Sequence, residues 1–297
     1  MPSPGDDDAM TDQTSDARPR LVVPPLACDT HMHFYDARFP TAPTALSTQP
    51  DATPDQYRAM QRRLGLSRVV VVQPSAYGAD NRANMEGAAR FGADARAVVV
   101  VERDAPPAEL RRLADAGAVG LRFFLFGGAY YGWPDLERMA RRAADHGWHL
   151  QMQFDGRMIP DYESRIRALP CDVVIDHNAR FVEPVPTDHP SFRALLRLLD
   201  TGRCWVKCSG MYDTSRLGPP LYPDVGAIAR AIIAHAPQRV VWASNWPHPG
   251  QFPKPDDAML LDTLLDYAPD DATRAAILVA NPARLYRFDR DREGPSP

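Results

Sequence analysis

The feature of this chain that most constrains its fold is one unit repeated along the sequence: a short apolar run, a polar loop and an amphipathic segment. The apolar runs are continuous rather than alternating, which indicates strands buried on both faces, as in a parallel sheet covered by helices. The runs span residues 25–33, 68–75, 96–101, 118–124, 148–154, 171–177, 203–210 and 239–245. Eight such units in 297 residues predict an α/β fold, a single (β/α)8 TIM barrel.

The segments between the runs support this architecture. Apolar residues recur at helical spacing over 135–147, 191–202 and 224–237. The alternative is a doubly wound open sheet, but no glycine-rich dinucleotide or phosphate loop follows the first strand. The Pro-rich stretch 38–54 is predicted to be a long first βα loop that folds over the barrel mouth. The predicted organisation is a disordered acidic tail, one barrel domain and a flexible C-terminus, at 1–20, 21–290 and 291–297.

Composition excludes several classes of partner. The formal net charge is -4 without a long Lys/Arg run, which argues against nucleic acid or an anionic membrane. No apolar run approaches the ~18 residues that span a bilayer, and the N-terminal segment lacks the pattern of a signal peptide, so we expect a cytoplasmic protein. The oligomeric state, a homo-oligomer included, stays open. The cysteines fall in or beside apolar runs without zinc-binding spacing, which indicates a reduced core: Cys28, Cys171, Cys204 and Cys208.

Histidines at the ends of the predicted strands are the first candidate catalytic residues, because barrel enzymes take their catalytic groups from the C-terminal ends of the strands. His31 and His33 are two residues apart on the first strand, so both rings point to the same face. His177 joins them from the sixth strand. One histidine at a strand end is more often a structural hydrogen-bonding residue, but three in one barrel favour a carbonyl-polarising or metal-binding role.

Arginines form a second candidate set at the same rim. Arg122, Arg180 and Arg216 follow the fourth, sixth and seventh strands. For any single arginine, an ion pair on the surface is a fair alternative. Three at one rim favour a substrate that bears carboxylates, which guanidinium groups bind in a bidentate manner. Other polar residues predicted at this rim are Ser75, Gln153, Tyr212, Asn245 and His248.

Two charged residues have readings that the sequence does not separate. Asp176 precedes His177, and it is predicted to orient a neighbouring histidine. Lys207 lies on the seventh strand, where facing the barrel interior and pointing outward between helices are equally consistent with the sequence.

Motifs at the strand ends resemble those of a known family. The stretches DTHMH (29–33), DHNAR (176–180) and SNWPHP (244–249), with NPARLY (281–286), resemble the amidohydrolase superfamily. Within it, the chain is similar to a metal-independent branch of lactonases and lactone isomerases. The resemblance implies a distorted, amidohydrolase-type barrel acting on a lactone of a dicarboxylic acid. It implies no metal cofactor, with zinc as the less favoured alternative.

The resemblance also implies roles for individual residues. His31, His33 and His177 would polarise the lactone carbonyl, with His248 beside them in the same WPHP context. Arg122, Arg180 and Arg216 would hold carboxylates of the substrate. Further substrate contacts would come from Ser75, Gln153 and Tyr212.

One position departs from the lactonases: Asn245 stands where they carry the aspartate that activates water. A carboxamide has no basic lone pair at neutral pH, and a general base typically contributes ~10²–10⁴-fold to such a step. Isomerisation avoids this requirement, because a hydroxyl group of the substrate attacks the carbonyl instead of water. Together with Asn245, the resemblance to lactone isomerases therefore implies isomerisation of an aldaric lactone, most specifically D-galactaro-1,5-lactone to the 1,4-lactone.

Other activities remain as alternatives. The nearest is metal-independent hydrolysis of a lactone such as 2-pyrone-4,6-dicarboxylate, with His33 or His248 activating water. The presence of both His31 and His33 resembles the lactonases more than the isomerases and keeps this alternative open. A metal-dependent hydrolase and a non-catalytic carboxylate-binding protein are the remaining alternatives.

Overall fold

The computed structural model describes residues 17–45 and 49–288, and it contains a sheet of eight parallel strands in the order β1 to β8. Each strand pairs in parallel with the next one along the chain. The predicted (β/α)8 TIM barrel is confirmed, with distorted register between β1 and β2 and between β3 and β4. The strands are β1 Cys28–Met32, β2 Arg68–Val72, β3 Ala95–Val99, β4 Ala118–Phe124, β5 His149–Gln153, β6 Val173–Ile175, β7 Cys204–Cys208 and β8 Val240–Trp242.

Helices surround the sheet and follow the strands in sequence. A π-helical turn, Ala276–Ala280, connects α10 to α11. The helices are α1 Pro54–Leu64, α2 Arg82–Ala89, α3 Pro107–Asp115, α4 Leu136–Asp145, α5 Ile159–Arg167, α6 Pro190–Leu199, α7 Pro223–His235, α8 Asp257–Asp262, α9 Leu264–Tyr267, α10 Asp271–Ala275 and α11 Asn281–Tyr286. Short 3₁₀ segments span Ser75–Tyr77, Gly92–Asp94, Trp133–Asp135, Gly156–Met158, His177–Ala179, Met211–Asp213 and Pro237–Arg239.

Local sequence explains where the first helix begins and ends. Thr53 caps α1, because its hydroxyl accepts from the Gln56 N–H while the Gln56 side chain accepts from the Thr53 N–H. The helix ends at Gly65, whose φ of 77° is a left-handed conformation that glycine adopts without a Cβ clash.

The barrel closes between β8 and β1 through a buried carboxylate. Asp29 on β1 is fully buried, and it accepts from the N–H of Ser244 at 3.0 Å and from the Ser244 hydroxyl at 2.5 Å. The Tyr57 hydroxyl of α1 donates to the same carboxylate at 3.0 Å. Desolvation raises the pKa of Asp29 to about 6, although its hydrogen bonds favour the ionised form. This seam fixes the chain just before Asn245, whose N–H donates to the His31 carbonyl at 2.8 Å.

The connecting segments and the chain ends complete the domain. The first βα loop pairs with the end of β1, because Tyr35 and Ala52 exchange backbone hydrogen bonds of 3.1 and 2.8 Å. Most of the predicted tail, residues 1–16, and the predicted C-terminus lie outside the described residues, whereas Arg20 contacts Asp262. The four cysteines are buried and unpaired. Within the described ranges, no helix has the length and apolarity to cross a membrane.

Candidate active site

A cavity of about 320 Å³ opens at the carboxyl ends of the strands. The structure brings together in its wall a set of residues predicted from the strand ends, namely His33, Ser75, Arg122, Gln153, His177, Arg180 and Asn245. The wall also contains residues that the sequence analysis did not single out, among them Tyr35, Gln49, Asp213 and Gln251. Among the described residues, Asp213 is the only carboxylate in this wall.

His33 lies in the cavity wall and contacts His31, which is fully buried behind it and does not line the cavity. Their Nε2 atoms are 3.3 Å apart and the rings meet edge to face. The Nδ1 of His33 lies 2.7 Å from the Val72 carbonyl, which only accepts, so Nδ1 carries the proton in the neutral ring. The proton between the two rings therefore belongs to Nε2 of His31, and the Nδ1 of His31 is an acceptor.

The side chains that surround Nδ1 of His31 are consistent with its role as an acceptor. The Lys207 ammonium is buried in the barrel interior and donates to the Thr30 carbonyl and to Oε1 of Gln151, each at 2.7 Å. It also lies 3.4 Å from Nδ1 of His31 and 3.7 Å from Asp176. Desolvation lowers the pKa of Lys207 to about 8. The interior reading of Lys207 is thus the correct one. Asp176 lies beside His31, with Oδ1 3.4 Å from Nδ1, and its predicted role in orienting a histidine stays a prediction.

A strained turn after β6 presents His177 and Arg180 to the cavity. The four residues from His177 to Arg180 have positive φ angles between 38° and 65°, a left-handed run that non-glycine residues rarely adopt. The Asn178 side chain holds the turn by donating to the Ser209 carbonyl at 3.1 Å. Nδ1 of His177 lies 2.8 Å from the Ser209 hydroxyl. Strain of this kind persists where tertiary contacts over-determine it, most often at functional sites.

Glycine at position 210 makes room for this arrangement. A Cβ at Gly210 would lie 2.8 Å from the His177 ring, and its φ of 60° is left-handed. The ring of His177 in turn packs with its centroid 4.9 Å from that of His31. Burial lowers the pKa values of His31 and His177 well below the ordinary range and that of His33 to about 3, so all three rings are neutral near pH 7.

Arg122 is a buried cation that forms no ion pair with any of the described residues, although the charge of Asp176 acts on it from a greater distance. Its guanidinium donates to the Gln73 carbonyl at 2.7 Å and to Oε1 of Gln153 at 2.8 Å. Its Nε is buried and has no hydrogen-bond partner among the described residues, in which no carboxylate lies within ion-pairing distance of this group. Desolvation lowers the pKa of Arg122, but a guanidinium group remains charged in proteins.

Arg180, in contrast, is already paired within the cavity. Its Nη1 donates to Oδ2 of Asp213 at 2.9 Å, and its guanidinium packs over the Phe126 ring. Asp213 ends the 3₁₀ segment after β7, and its other oxygen accepts from Gln251 at 3.3 Å. Burial raises the pKa of Asp213, and Arg180 opposes this shift.

Asn245 is held from behind by a chain of hydrogen bonds. Its Nδ2 donates to the Tyr212 hydroxyl at 3.0 Å, and that hydroxyl lies 2.8 Å from Nδ1 of His248. Nε2 of His248 lies 2.9 Å from the carboxylate of Asp257, which accepts a hydrogen bond from it. Both ring nitrogens of His248 are therefore in use, and neither Tyr212 nor His248 belongs to the cavity wall.

Arg216 and Asp155 lie apart from the cavity. Arg216 is exposed, and its guanidinium lies 3.5 Å from Glu183. The Asp155 carboxylate caps its own turn and pairs with Arg157. The substrate role predicted for Arg216, like the other predicted roles, stays a prediction.

Comparison with known proteins adds a family to this geometry. The amidohydrolase family matches residues 28–288. The chain belongs to the amidohydrolase family. The predicted membership is confirmed, and this amidohydrolase is an enzyme. It is 36% identical to the D-galactarolactone isomerase of Agrobacterium fabrum, covering 92% of this chain and 95% of that protein.

Other relatives differ in the reaction for which they are named. The amidohydrolase is 35% identical to the 2-pyrone-4,6-dicarboxylate hydrolase of Comamonas testosteroni, over 91% of this chain and 93% of that one. A solved apo structure from Agrobacterium tumefaciens superposes with a TM-score of 0.86 at 36% identity, over 91% and 98% of the two chains. A zinc-bound amidohydrolase from Burkholderia multivorans, at 21% identity, shares the fold with a TM-score of 0.69 over 88% and 99%.

The donor set at the cavity base fits a divalent metal poorly. His31, Asp176 and His177 offer ligand atoms within 4.8 Å of one another. However, the Lys207 ammonium lies 3.4 Å and 3.7 Å from the donors of His31 and Asp176, where it already supplies the positive charge. Another cation there would be repelled by Lys207 and by the buried Arg122. Asn245 also offers only a weak neutral ligand in place of a carboxylate.

Asp213 is the functional candidate that sequence reasoning missed. It lies directly after Tyr212 in a polar loop that offers several carboxylates and hydroxyls at similar spacing. The sequence signal that could have identified it is its place three residues beyond Gly210, at the carboxyl end of β7. Only the three-dimensional path of the loop distinguishes Asp213 from Asp224, which bonds within its own loop through Ser215.

Proposed function

We propose that this amidohydrolase converts a 1,5-lactone of an aldaric acid, D-galactaro-1,5-lactone in particular, into the 1,4-lactone without a metal cofactor. The observation that carries the proposal is Asn245 in the cavity wall. One hydrogen of its Nδ2 is donated to Tyr212, and its side-chain oxygen can accept a hydrogen bond from a hydroxyl group of the substrate. The relative named as a D-galactarolactone isomerase supports the same reaction.

The charge of the cavity supports a dicarboxylate substrate. Burying an unpaired guanidinium costs several kcal/mol, because the ion loses hydration that no counter-ion replaces. A substrate carboxylate beside Arg122 would supply the missing negative charge. Arg180 offers a second cation, although it shares its charge with Asp213. Ser75 and Gln153 supply neutral partners for hydroxyl groups of a sugar acid.

The neutral imidazoles support acyl transfer at the cavity base. In the proposed reaction a substrate hydroxyl oxygen adds to the lactone carbonyl carbon, and negative charge collects on the carbonyl oxygen. When the Ser209 hydroxyl donates to Nδ1 of His177, the ring proton resides on Nε2 and becomes a donor for that oxyanion. Arg122 adds a positive charge nearby. The ring C–O bond then breaks, and the five-membered lactone remains.

The test is to generate D-galactaro-1,5-lactone in situ, add protein treated with a chelator, and follow the products by proton NMR. We expect faster appearance of the 1,4-lactone with no extra free diacid, and no further increase when zinc is returned. Faster release of free diacid would refute the isomerase proposal. Activity that appears only with added zinc would refute the metal-independent part.

A second candidate, hydrolysis of a lactone such as 2-pyrone-4,6-dicarboxylate, is favoured by one observation. His31 and His33 are both present and in contact, as the resemblance to lactonases implies, and a relative of similar identity is named for that hydrolysis. A parallel reaction with 2-pyrone-4,6-dicarboxylate distinguishes the two candidates, because ring opening of this substrate consumes water and cannot proceed by internal attack.

A further inference from the structure

The reaction proposed above needs a group that removes a proton from the attacking hydroxyl, and the wall of the cavity contains few candidates. Asn245 is an amide and has no basic lone pair. His33 has its Nδ1 proton on the Val72 carbonyl and its Nε2 turned to His31. His248 lies behind Tyr212 with both ring nitrogens engaged. His177, the other histidine of the wall, serves as the oxyanion donor in the proposed reaction. None of these groups is therefore arranged as a base for a substrate hydroxyl.

We propose that Asp213, in the loop after β7, is the general base of this enzyme and removes the proton from the attacking hydroxyl of the substrate. Among the described residues, Asp213 is the only carboxylate in the cavity wall, and its side chain is only 7% exposed. Gln251 and Arg180 engage its two oxygens and orient the group. The inference rests on the proposed lactone chemistry and names the residue that handles its proton.

The proton balance of isomerisation suits a single carboxylate. Asp213 takes the proton as the substrate O–H bond breaks and the new C–O bond forms to the carbonyl carbon. The tetrahedral intermediate then collapses, the former ring C–O bond breaks, and the oxygen that leaves takes the proton back from Asp213. No water, oxidant or second acid is consumed, and the base is restored at the end of each turnover.

Burial and neighbouring groups act in opposite directions on the Asp213 carboxyl group. Burial raises its pKa from the ordinary value, whereas the Arg180 guanidinium and His248 lower it and keep the ionised form accessible. A base whose pKa lies closer to the working pH transfers protons more effectively in both directions. Burial lowers the pKa values of the three imidazoles, which disfavours proton uptake by these rings.

The experiment compares the wild type with Asp213→Asn, Asp213→Glu and Arg180→Met in lactone isomerisation, with hydrolysis of 2-pyrone-4,6-dicarboxylate in parallel. We expect Asp213→Asn to lower kcat by ~10²–10⁴-fold with a smaller change in KM, and Asp213→Glu to restore part of it. The low-pH decline of the wild-type kcat should disappear in Asp213→Asn. Asp188→Asn, which changes an exposed carboxylate outside the cavity, is the matched control and should behave as the wild type.

Other outcomes would contradict the role of Asp213, the proposed function, or both. If Asp213→Asn loses less than about tenfold in kcat, or keeps the low-pH decline, Asp213 is not the base. If Arg180→Met reproduces its effect with a higher KM, Asp213 only positions Arg180. If the wild type hydrolyses but does not isomerise, the proposed function is wrong, and the effect of Asp213→Asn on hydrolysis still decides the role of Asp213. A wild type inactive on both lactones refutes both proposals.

Discussion

Asn245 is held in one amide orientation by the residues behind it. Tyr212 accepts from its Nδ2 and therefore donates to Nδ1 of His248, and His248 donates from Nε2 to Asp257. Each donor in this series of hydrogen bonds therefore faces an acceptor. The direction of each hydrogen bond follows from the carboxylate at one end and the amide at the other.

Replacing Asn245 with aspartate should reverse part of this chain and introduce hydrolysis. The Tyr212 hydroxyl would donate to the new carboxylate instead of to His248. The carboxylate could then activate water, so we expect free diacid as a new product from D-galactaro-1,5-lactone. Proton NMR of the product mixture over time measures it.

The control for this prediction keeps the carboxylate but removes its support. In a double variant, Asn245→Asp with Tyr212→Phe, the hydrogen bond to position 245 is lost and hydrolysis should fall again. A product distribution identical to that of the wild type in Asn245→Asp would mean that the amide is not the reason why water is excluded from the reaction.

Arg122→Met should weaken the binding of a dicarboxylate lactone. Removing one partner of a buried, hydrogen-bonded charge pair typically costs about 2 kcal/mol or more, which corresponds to roughly 30-fold in KM. Arg122→Lys should recover only part of the affinity, because lysine keeps the charge but not the planar donor geometry. Steady-state kinetics measure both, with the exposed Arg193→Met as the matched control. Unchanged KM in Arg122→Met would exclude a substrate carboxylate at this group.

At the residue scale, the sequence identified side chains by type and by position at strand ends. This placed His33, Arg122 and His177 in one cavity, because the ends of parallel strands meet at one face of a barrel. The structure places His248 and Tyr212 behind the wall and Arg216 outside it. Their positions depend on loop paths that tertiary hydrogen bonds determine, and no local periodicity records them.

At the scale of elements, the contact between β1 and the segment after β8 depends on Asp29, a carboxylate whose ionisation is disfavoured by burial. Asp29 gains hydrogen bonds from Ser244 and Tyr57, but its complete burial raises its pKa to about 6. The folded protein therefore binds this proton more tightly than the unfolded chain does, in which the pKa is near the ordinary 3.8. Ionisation of Asp29 consequently lowers the free energy of unfolding.

The stability of the wild type relative to Asp29→Asn should therefore fall as the pH rises from about 4 to about 6, by roughly 3 kcal/mol, and then level off. Urea unfolding of the two proteins across this range measures the difference, in which contributions from the other titrating groups cancel. A difference that rises with pH would mean that the hydrogen bonds to Asp29 outweigh its desolvation.

The strands themselves were predictable, but their ends were not. The run predicted to end at Asn245 ends as a strand at Trp242, and the run predicted to reach His177 ends at Ile175. In both places the chain leaves the sheet and then adopts positive φ, at Asn245 and from His177 onward. The apolar pattern continues past these points, because residues such as Ala243 stay buried after strand pairing has stopped.

At the scale of the whole molecule, positive charge is concentrated at the cavity although the net charge of the protein is negative. The chain carries a formal net charge of -4, yet its catalytic face buries the cations Arg122 and Lys207 and exposes Arg180 to the cavity. Buried cations reduce the stability of the free protein, so a ligand that neutralises them should stabilise the fold beyond its contact area. Binding and stability are linked by mass action.

Galactarate, galactonate and galactitol should therefore raise the melting temperature in that order, because they share a carbon skeleton but carry two, one and no carboxylates. A ligand at 100-fold its Kd adds about 2.7 kcal/mol, which for a domain of this size raises the Tm by roughly 5–10 °C. Differential scanning fluorimetry at constant ionic strength measures the shifts. In Arg122→Met the advantage of galactarate should shrink, because the buried cation is gone. Equal shifts with all three compounds would mean that the cavity does not select for carboxylates.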